Sequence, residues 1–126
     1  MQPTEDDCLL QCLLIVTRCL GVPATSHSLT AGLPLSDKGF TPNLLQRAAT
    51  RAGLNSRLTQ MALDAIPDAV CPAIVLLNDD KACVYLGRSK DGNARVIYPE
   101  LIDAPIEEPL GELRAKSSGY VFLARP

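Results

Sequence analysis

The amino-acid sequence predicts an α+β fold, in which helices near the N-terminus pack on an antiparallel sheet. Two observations predict this class: helical patterns occupy the first half of the chain, and short apolar runs separated by turn residues occupy the second. The 126 residues, of which 47% are hydrophobic and 21% charged, suit one hydrophobic core and are too few for two. We therefore expect residues 1–126 to form a single domain.

Three helices are predicted in the first half of the chain. The first covers about 6–20 and is apolar on nearly every side, which is typical of a helix that is covered on several sides. A short second helix is expected over 25–31. The third is expected over 41–52, because Thr41 can cap it and Pro42 suits its first position.

Five strands are predicted after residue 53, where the spacing of apolar residues changes. They are expected over 54–60, 72–77, 82–86, 94–98 and 119–125. Turn residues at 78–81 and 91–93 indicate that the three middle strands follow one another as hairpins. Short helical turns are expected over 63–67 and 110–116, and the acidic, proline-containing stretch 103–109 is expected to be a loop.

Composition and charge exclude several classes of function. The net charge of −2 leaves no basic excess for nucleic-acid phosphates, and 4% aromatic residues with no tryptophan offer few stacking surfaces. A single histidine is too few for metal sites that need several imidazoles. The longest apolar run, 9–20, is too short and too polar to span a bilayer. We expect no nucleic-acid partner and no membrane insertion by this chain.

The five cysteines favour a reducing compartment, because their number is odd and they lie in apolar runs rather than in loops. Cys8 is the candidate nucleophile, since backbone N–H groups in the first turn of a helix stabilise a thiolate. Cys8, Cys12 and Cys19 share one helix face, which leaves a redox or metal module as an alternative, although the neighbouring leucines favour buried thiols. His27, the single histidine, is expected to be a surface residue.

The start of the chain resembles a known family of peptidase domains. The spacing found in the N-terminal peptidase domain of bacterial ABC exporters that remove double-glycine leaders from bacteriocins is matched at Gln2, Cys8, Cys12 and Gly21. Later stretches resemble the degenerate branch of this family, which precedes the type I exporters of RTX toxins and adhesins. These stretches are Leu29–Leu35, Thr41–Ala49, Arg51–Leu54, Pro72–Leu77 and Ser118–Phe122. The resemblance implies a papain-like cysteine peptidase fold over nearly the whole chain.

The resemblance also assigns the places of the catalytic residues. Cys8 occupies the place of the nucleophile, and Gln2 that of a residue that helps to hold the oxyanion. The place of the histidine base falls on Ala82, and the place of the aspartate that orients it falls on Tyr98. Without an imidazole we expect Cys8 to be an ordinary thiol and the site to be catalytically degenerate. Lys81 is not expected to replace the base, because it is protonated at neutral pH.

The leading hypothesis is therefore a domain that binds an exported protein without cleaving it. The resemblance implies an RTX protein or adhesin, unfolded or partly folded, as the cargo. It also implies the membrane and ATPase parts of a longer exporter as the other partners. We expect no cofactor and no metal in this chain, since ATP would bind elsewhere in the exporter. The domain would lie at the cytoplasmic face of the bacterial inner membrane.

Candidate contacts for the cargo are the aromatic residues Tyr85, Tyr98 and Phe40, together with Lys81. Each aromatic residue could instead pack in the core. A net charge of −2 gains little from bulk attraction to an acidic cargo, so shape and apolar contacts are expected to dominate. The alternatives are an active cysteine peptidase that uses Cys8 to remove a double-glycine leader, and a spacer domain that binds nothing.

Overall fold

The structure is a computed structural model that describes residues 8–31, 41–78, 81–101 and 104–126. Its elements follow the chain as α1 (Cys8–Cys19), α2 (Ser26–Thr30), α3 (Pro42–Arg51), β1 (Asn55–Gln60), 3₁₀ turns at Leu63–Ala65 and Asp68–Val70, β2 (Ala73–Leu77), β3 (Ala82–Arg88), β4 (Ala94–Ile97), β5 (Ile106–Glu108), α4 (Leu110–Lys116) and β6 (Ser117–Arg125). The predicted α+β class is confirmed. None of the helices in these ranges is long and apolar enough to cross a membrane.

The three N-terminal helices lie close to their predicted positions. Among the described residues α1 begins at Cys8, and residues 6 and 7, where the first helix is expected to begin, lie outside them. Thr41 caps α3 as predicted, because its side chain accepts a hydrogen bond from the backbone N–H of Leu44 at 3.3 Å. After α1 the chain turns at Gly21, whose φ of 73° lies in the left-handed region that favours glycine.

Six strands form one sheet in the order β1-β6-β2-β3-β4-β5, and every neighbouring pair is antiparallel. The pairs β2-β3 and β3-β4 are the hairpins that the turn residues predict. β6 lies between β1 and β2, so that Phe122 is opposite Leu58 on one side and Ile74 on the other. The C-terminal strand therefore joins the strand that follows α3 to the central hairpins.

The sequence does not predict β5, because prolines flank it and two of its three residues are glutamates. Ile106–Glu108 pairs with β4 at the edge of the sheet. Glu108 is only 8% exposed, and two partners compensate the burial of its carboxylate. Tyr98 donates a hydrogen bond to it, and Lys116 Nζ lies 3.1 Å from it. The expectation of a loop throughout 103–109 is therefore wrong, because tertiary pairing overrides the low strand propensity of these residues.

The sheet separates two hydrophobic clusters. The helix-side cluster lies under α1, α2 and α3, and its members include Leu10, Leu13, Leu45, Ile74 and Phe122. The far-side cluster lies on the opposite face, and its members include Leu63, Val75, Val96, Leu113 and Val121. Side chains of β3 alternate between the two: Ala82 and Val84 face the helices, whereas Cys83 and Tyr85 face the far side. This alternation places the start of β3 against α1.

Candidate functional site

The first described turn of α1 meets the first residue of β3. The Cys8 thiol donates a hydrogen bond to the backbone oxygen of Ala82 at 3.0 Å, and the backbone N–H of Ala82 donates to Cys8 Sγ at 3.3 Å. Cys8 is 8% exposed and Ala82 is 2% exposed. The structure thus brings together the two residues that the resemblance assigns to the places of the nucleophile and the base, through the backbone of Ala82.

Hydrogen bonds lower the pKa of the Cys8 thiol below its ordinary value. The largest cause is the side chain of Cys12, one helical turn further along α1. Burial opposes this shift, the N–H of Ala82 supports it, and the charges of Glu100 and Lys81 act in opposite directions. The pKa of Cys12 is raised well above its ordinary value, first by burial and then by its bond to Cys8. Of the two thiols, Cys8 is therefore the one that ionises more readily, and Cys12 is the one that keeps its proton more firmly.

The direction of this shift favours the Cys8 thiolate more than the sequence alone indicates. The spacing of Cys8 and Cys12, four residues apart on one helix face, is visible in the sequence. It is the signal from which the donor role of Cys12 could have been inferred, although it suggests a metal or redox pair equally well. The sequence alone does not show that the backbone of β3 closes the other side of the thiol.

Lys81, the residue before Ala82, forms an ion pair near the two cysteines. Its Nζ lies 2.7 Å from Glu100 Oε1, and the two side chains are 53% and 45% exposed. An exposed pair of this kind contributes about 0–1 kcal/mol, so a ligand could displace it at little cost. The side chain of Lys81 is therefore about half exposed, and the charge of Glu100 opposes its effect on Cys8.

Tyr98 belongs to a separate polar group on the opposite face of the sheet from Cys8. Its ring packs against the far-side cluster, its hydroxyl donates a hydrogen bond to Glu108, and Lys116 Nζ donates to its oxygen at 2.8 Å. Lys116 Nζ also lies 4.7 Å from the centre of the ring. Burial and then the hydrogen bond to Glu108 raise the pKa of Tyr98. The side chain at the place of the orienting aspartate is therefore not brought to Cys8.

The other candidate residues lie in different places. Tyr85 is fully buried in the far-side cluster, which corrects its assignment as a cargo contact, because it has no surface to offer. His27 is exposed in α2. Gln2 and Phe40 lie outside the described residues. Lys81 and Tyr98 thus remain as the candidate contacts with described surface.

The remaining cysteines do not converge on Cys8 and Cys12. Cys19 is exposed, and Cys83 is buried on the far side of the sheet. Burial raises the pKa of Cys71 to about 11 and that of Cys83 to about 12. Within the described ranges, no group of three histidine, cysteine or acidic side chains is arranged to hold a metal ion.

Replacing Cys12 with alanine is expected to slow the alkylation of Cys8 by iodoacetamide at neutral pH. The substitution removes the hydrogen bond that contributes most to the lowered pKa of Cys8, so a smaller fraction of that thiol is ionised. The alkylation rate, measured by peptide mass from about pH 6 to 9, should therefore rise at higher pH than in the unmodified chain. Cys12→Ser keeps a donor and is the matched control. Coincident pH profiles for Cys12→Ala and the unmodified chain would contradict the donor role.

Solved structures with this fold include three that are domains of ABC transporters. The N-terminal peptidase C39-like domain of the toxin secretion ATP-binding protein from Vibrio parahaemolyticus matches with a TM-score of 0.88 and 36% sequence identity, over 95% of this chain and 97% of that chain. The peptidase domain of Streptococcus ComA, a bifunctional ABC transporter involved in quorum sensing, matches with a TM-score of 0.79 and 17% identity, over 97% and 93%. A double-glycine-motif protease from an AMS/PCAT transporter, solved with its leader peptide, matches with a TM-score of 0.76 and 17% identity, over 95% and 84%. The last two matches show the fold alone.

No curated protein sequence matches the chain significantly. The sequence profile of the peptidase C39 family matches residues 1–126. The match agrees with the resemblance found in the sequence and with the papain-like arrangement of helices on an antiparallel sheet. The chain therefore belongs to the peptidase C39 family.

Proposed function

We propose that this chain is the C39 domain of an ABC exporter and that it binds the exported protein without cleaving it. The observation that carries the proposal is the contact of Cys8 with the backbone of Ala82. In a cysteine peptidase the nucleophile faces a base that takes its proton and later protonates the leaving amine. The resemblance assigns the place of that base to Ala82, whose side chain is a methyl group that cannot transfer a proton.

The surroundings of Cys8 support one half of the chemistry of a peptidase. Cys12 and the N–H of Ala82 favour a thiolate, which can attack a carbonyl carbon. The leaving amine must then receive a proton, and Cys12 is a poor acid because its pKa is raised. His27, the single histidine of the chain, is exposed in α2. Loss of the acid–base partner and its orienting residue lowers peptidase rates by orders of magnitude.

A cysteine peptidase that removes a double-glycine leader is the second candidate function. The lowered pKa of Cys8 favours it, because a ready thiolate is what an active nucleophile requires. The two functions make opposite predictions for a leader peptide, which only the second cleaves after its glycine pair. The absence of an imidazole at Ala82 makes us prefer the first.

We further propose that the cargo is an RTX protein or adhesin in an unfolded state. The stretches that resemble the degenerate branch of the family support this, as does the similarity to the domain of a toxin secretion protein. The membrane and ATPase parts of the exporter would be the other partners, and ATP would bind there. The domain would then lie at the cytoplasmic face of the bacterial inner membrane. Of the candidate contacts, Lys81 and Tyr98 have described surface for such a cargo.

Binding and cleavage should be measured on the same samples to test this proposal. The first ligand is an RTX passenger that is kept unfolded by leaving out calcium, and the same passenger folded with calcium is its control. The second ligand is a double-glycine leader peptide. We expect the unfolded passenger to bind, the folded one to bind weakly, and neither passenger nor leader to be cut. Cys8→Ala should bind the passenger as tightly as the unmodified chain.

Two outcomes would overturn the proposal. Leader cleavage that disappears in Cys8→Ala would establish the peptidase instead. Failure of the unfolded passenger to bind, under conditions in which the domain is folded by circular dichroism, would leave a spacer domain.

A further inference from the structure

Among the described strands, β1 is the first of the sheet and pairs only with β6, so its outer edge has no strand partner there. At one end of this edge, the backbone oxygen of Ser56 accepts a hydrogen bond from Gln46 Nε2 of α3 at 3.4 Å. The N–H of Met61 donates to the oxygen of Gly119 at 3.1 Å, so the odd-numbered residues of this segment direct their backbone groups at β6. The backbone groups of Leu58 and Gln60 consequently point outwards. Within the described part of the chain, neither residue has a hydrogen-bond partner on that side.

The two faces beside this edge differ in chemistry. On the helix side, Leu58 is 38% exposed and lies diagonally across from Tyr120, which is 41% exposed. On the far side, a groove of about 280 Å³ is lined by Asn55, Ser56, Arg57, Val70, Leu123 and Arg125. One face therefore exposes two apolar side chains beside Gln60, and the other carries Arg57 and Arg125 at a groove that is also lined by Val70 and Leu123.

Two arginines lie beside this edge although the chain as a whole is slightly acidic. Arg57 lies in β1, and the register places Arg125 of β6 opposite Asn55 of β1. Both arginines are exposed, and Arg125 donates a hydrogen bond to the backbone oxygen of Ala69. A chain with a net charge of −2 therefore carries a local pair of positive charges at this edge.

We propose that the outer edge of β1 binds an extended peptide in which apolar and acidic residues alternate, as a seventh strand of the sheet. Main-chain hydrogen bonds to Leu58 and Gln60 would hold the peptide. Successive side chains of a strand point to opposite faces, so its apolar residues lie against Leu58 and Tyr120 while its acidic residues lie towards Arg57 and Arg125. That the peptide comes from an exported cargo rests on the proposed function; the binding surface itself does not.

A peptide fits this edge better than a second copy of the chain does. Pairing of β1 with β1 of another copy would bring two such pairs of arginines together, and like charges side by side oppose strand pairing. An acidic peptide instead neutralises the arginines that flank the edge.

The test uses the complete chain and a short capped peptide of alternating valine and glutamate, with binding measured by fluorescence anisotropy. N-methylation of a peptide residue removes one backbone donor, so methylating every second residue disables one edge of the peptide. In antiparallel pairing, residues opposite Leu58 and Gln60 share their face, so methylation of the valines should abolish binding and methylation of the glutamates should not. If the two methylated peptides bind equally well, or neither peptide series binds, β1 does not add a strand.

The second part of the test reverses the charge of one arginine at the edge. Arg57→Glu should weaken binding of the glutamate peptide by about tenfold and improve binding of a valine–lysine peptide. Lys90→Glu, in the turn between β3 and β4, makes the same change in net charge away from this edge and should have no effect. If Arg57→Glu and Lys90→Glu lose equal affinity for the glutamate peptide, the effect comes from the overall charge of the chain and the site is refuted.

Two further readouts separate this inference from the alternatives. If the unfolded passenger binds Arg57→Glu as tightly as it binds the unmodified chain, the proposed function survives and the claim that the cargo occupies the β1 edge is overturned. Dimerisation that rises with protein concentration and is lost in Leu58→Pro, which removes an outward N–H, would show that the edge serves a second copy instead.

Discussion

Replacing Ala82 with histidine is expected to make Cys8 react rapidly with iodoacetamide down to mildly acidic pH. The backbone of Ala82 already contacts Cys8 Sγ at 3.0 and 3.3 Å, so a side chain at this position starts beside the sulfur. An imidazolium next to a thiol stabilises the thiolate strongly, and at about pH 6 we expect the alkylation rate to rise by about tenfold or more. The measurement is the rate of Cys8 alkylation as a function of pH.

The same substitution also destabilises the fold, and the experiment must distinguish this effect from the effect of the imidazole on the Cys8 thiol. Ala82 is 2% exposed, and a larger side chain in a filled site typically costs about 1–3 kcal/mol. Ala82→Asn is the matched control, because asparagine adds a polar side chain of similar shape that does not titrate near neutral pH. A faster reaction in both variants would indicate a loosened fold, and an unchanged rate in folded Ala82→His would show that residue 82 does not face the sulfur.

Phe122→Ala is expected to lower the free energy of unfolding by about 3–5 kcal/mol. Phe122 is 1% exposed in the helix-side cluster, and β6 places it between Leu58 of β1 and Ile74 of β2. Its removal opens a cavity where the sheet and the helices meet. A domain of this size has a stability of about 5–15 kcal/mol, so the variant could be largely unfolded at body temperature.

Urea denaturation followed by circular dichroism measures this loss. Phe122→Leu, which keeps most of the apolar volume, should lose less and remains measurable if the alanine variant does not fold. Leu101→Ala is the matched control, because Leu101 is 75% exposed and its truncation should change stability by no more than about 0.5 kcal/mol. Similar losses at positions 101 and 122 would contradict the central place of β6.

The helices and hairpins could be predicted because their signals are local. Thr41 before Pro42 marks the start of α3, and the turn residues at 91–93 mark the hairpin of β3 and β4. The sequence pattern that identifies β6 as a strand is local as well. Its place between β1 and β2 depends on pairing with residues far away in sequence, which no short pattern encodes.

The candidate site was predictable in part. The resemblance assigns Cys8 and Ala82 to the places of the nucleophile and the base, and the structure brings these two residues into contact. Alternation along β4 could also have shown that Tyr98 points away from Cys8, because Ile97 faces the helix side and its neighbour must face the other. The groove between Arg57 and Arg125 could not be predicted, because their proximity follows from the register of β1 on β6.

The position of β6 also governs how the chain can fold as it leaves the ribosome. β1 is made early but has no strand partner until β6 has emerged, since β6 is the strand that it pairs with. The β2-β3-β4 hairpins can form first, because they need only neighbouring residues. Until β6 has been synthesised, both edges of β1 lack a strand partner and are open to pairing with other chains.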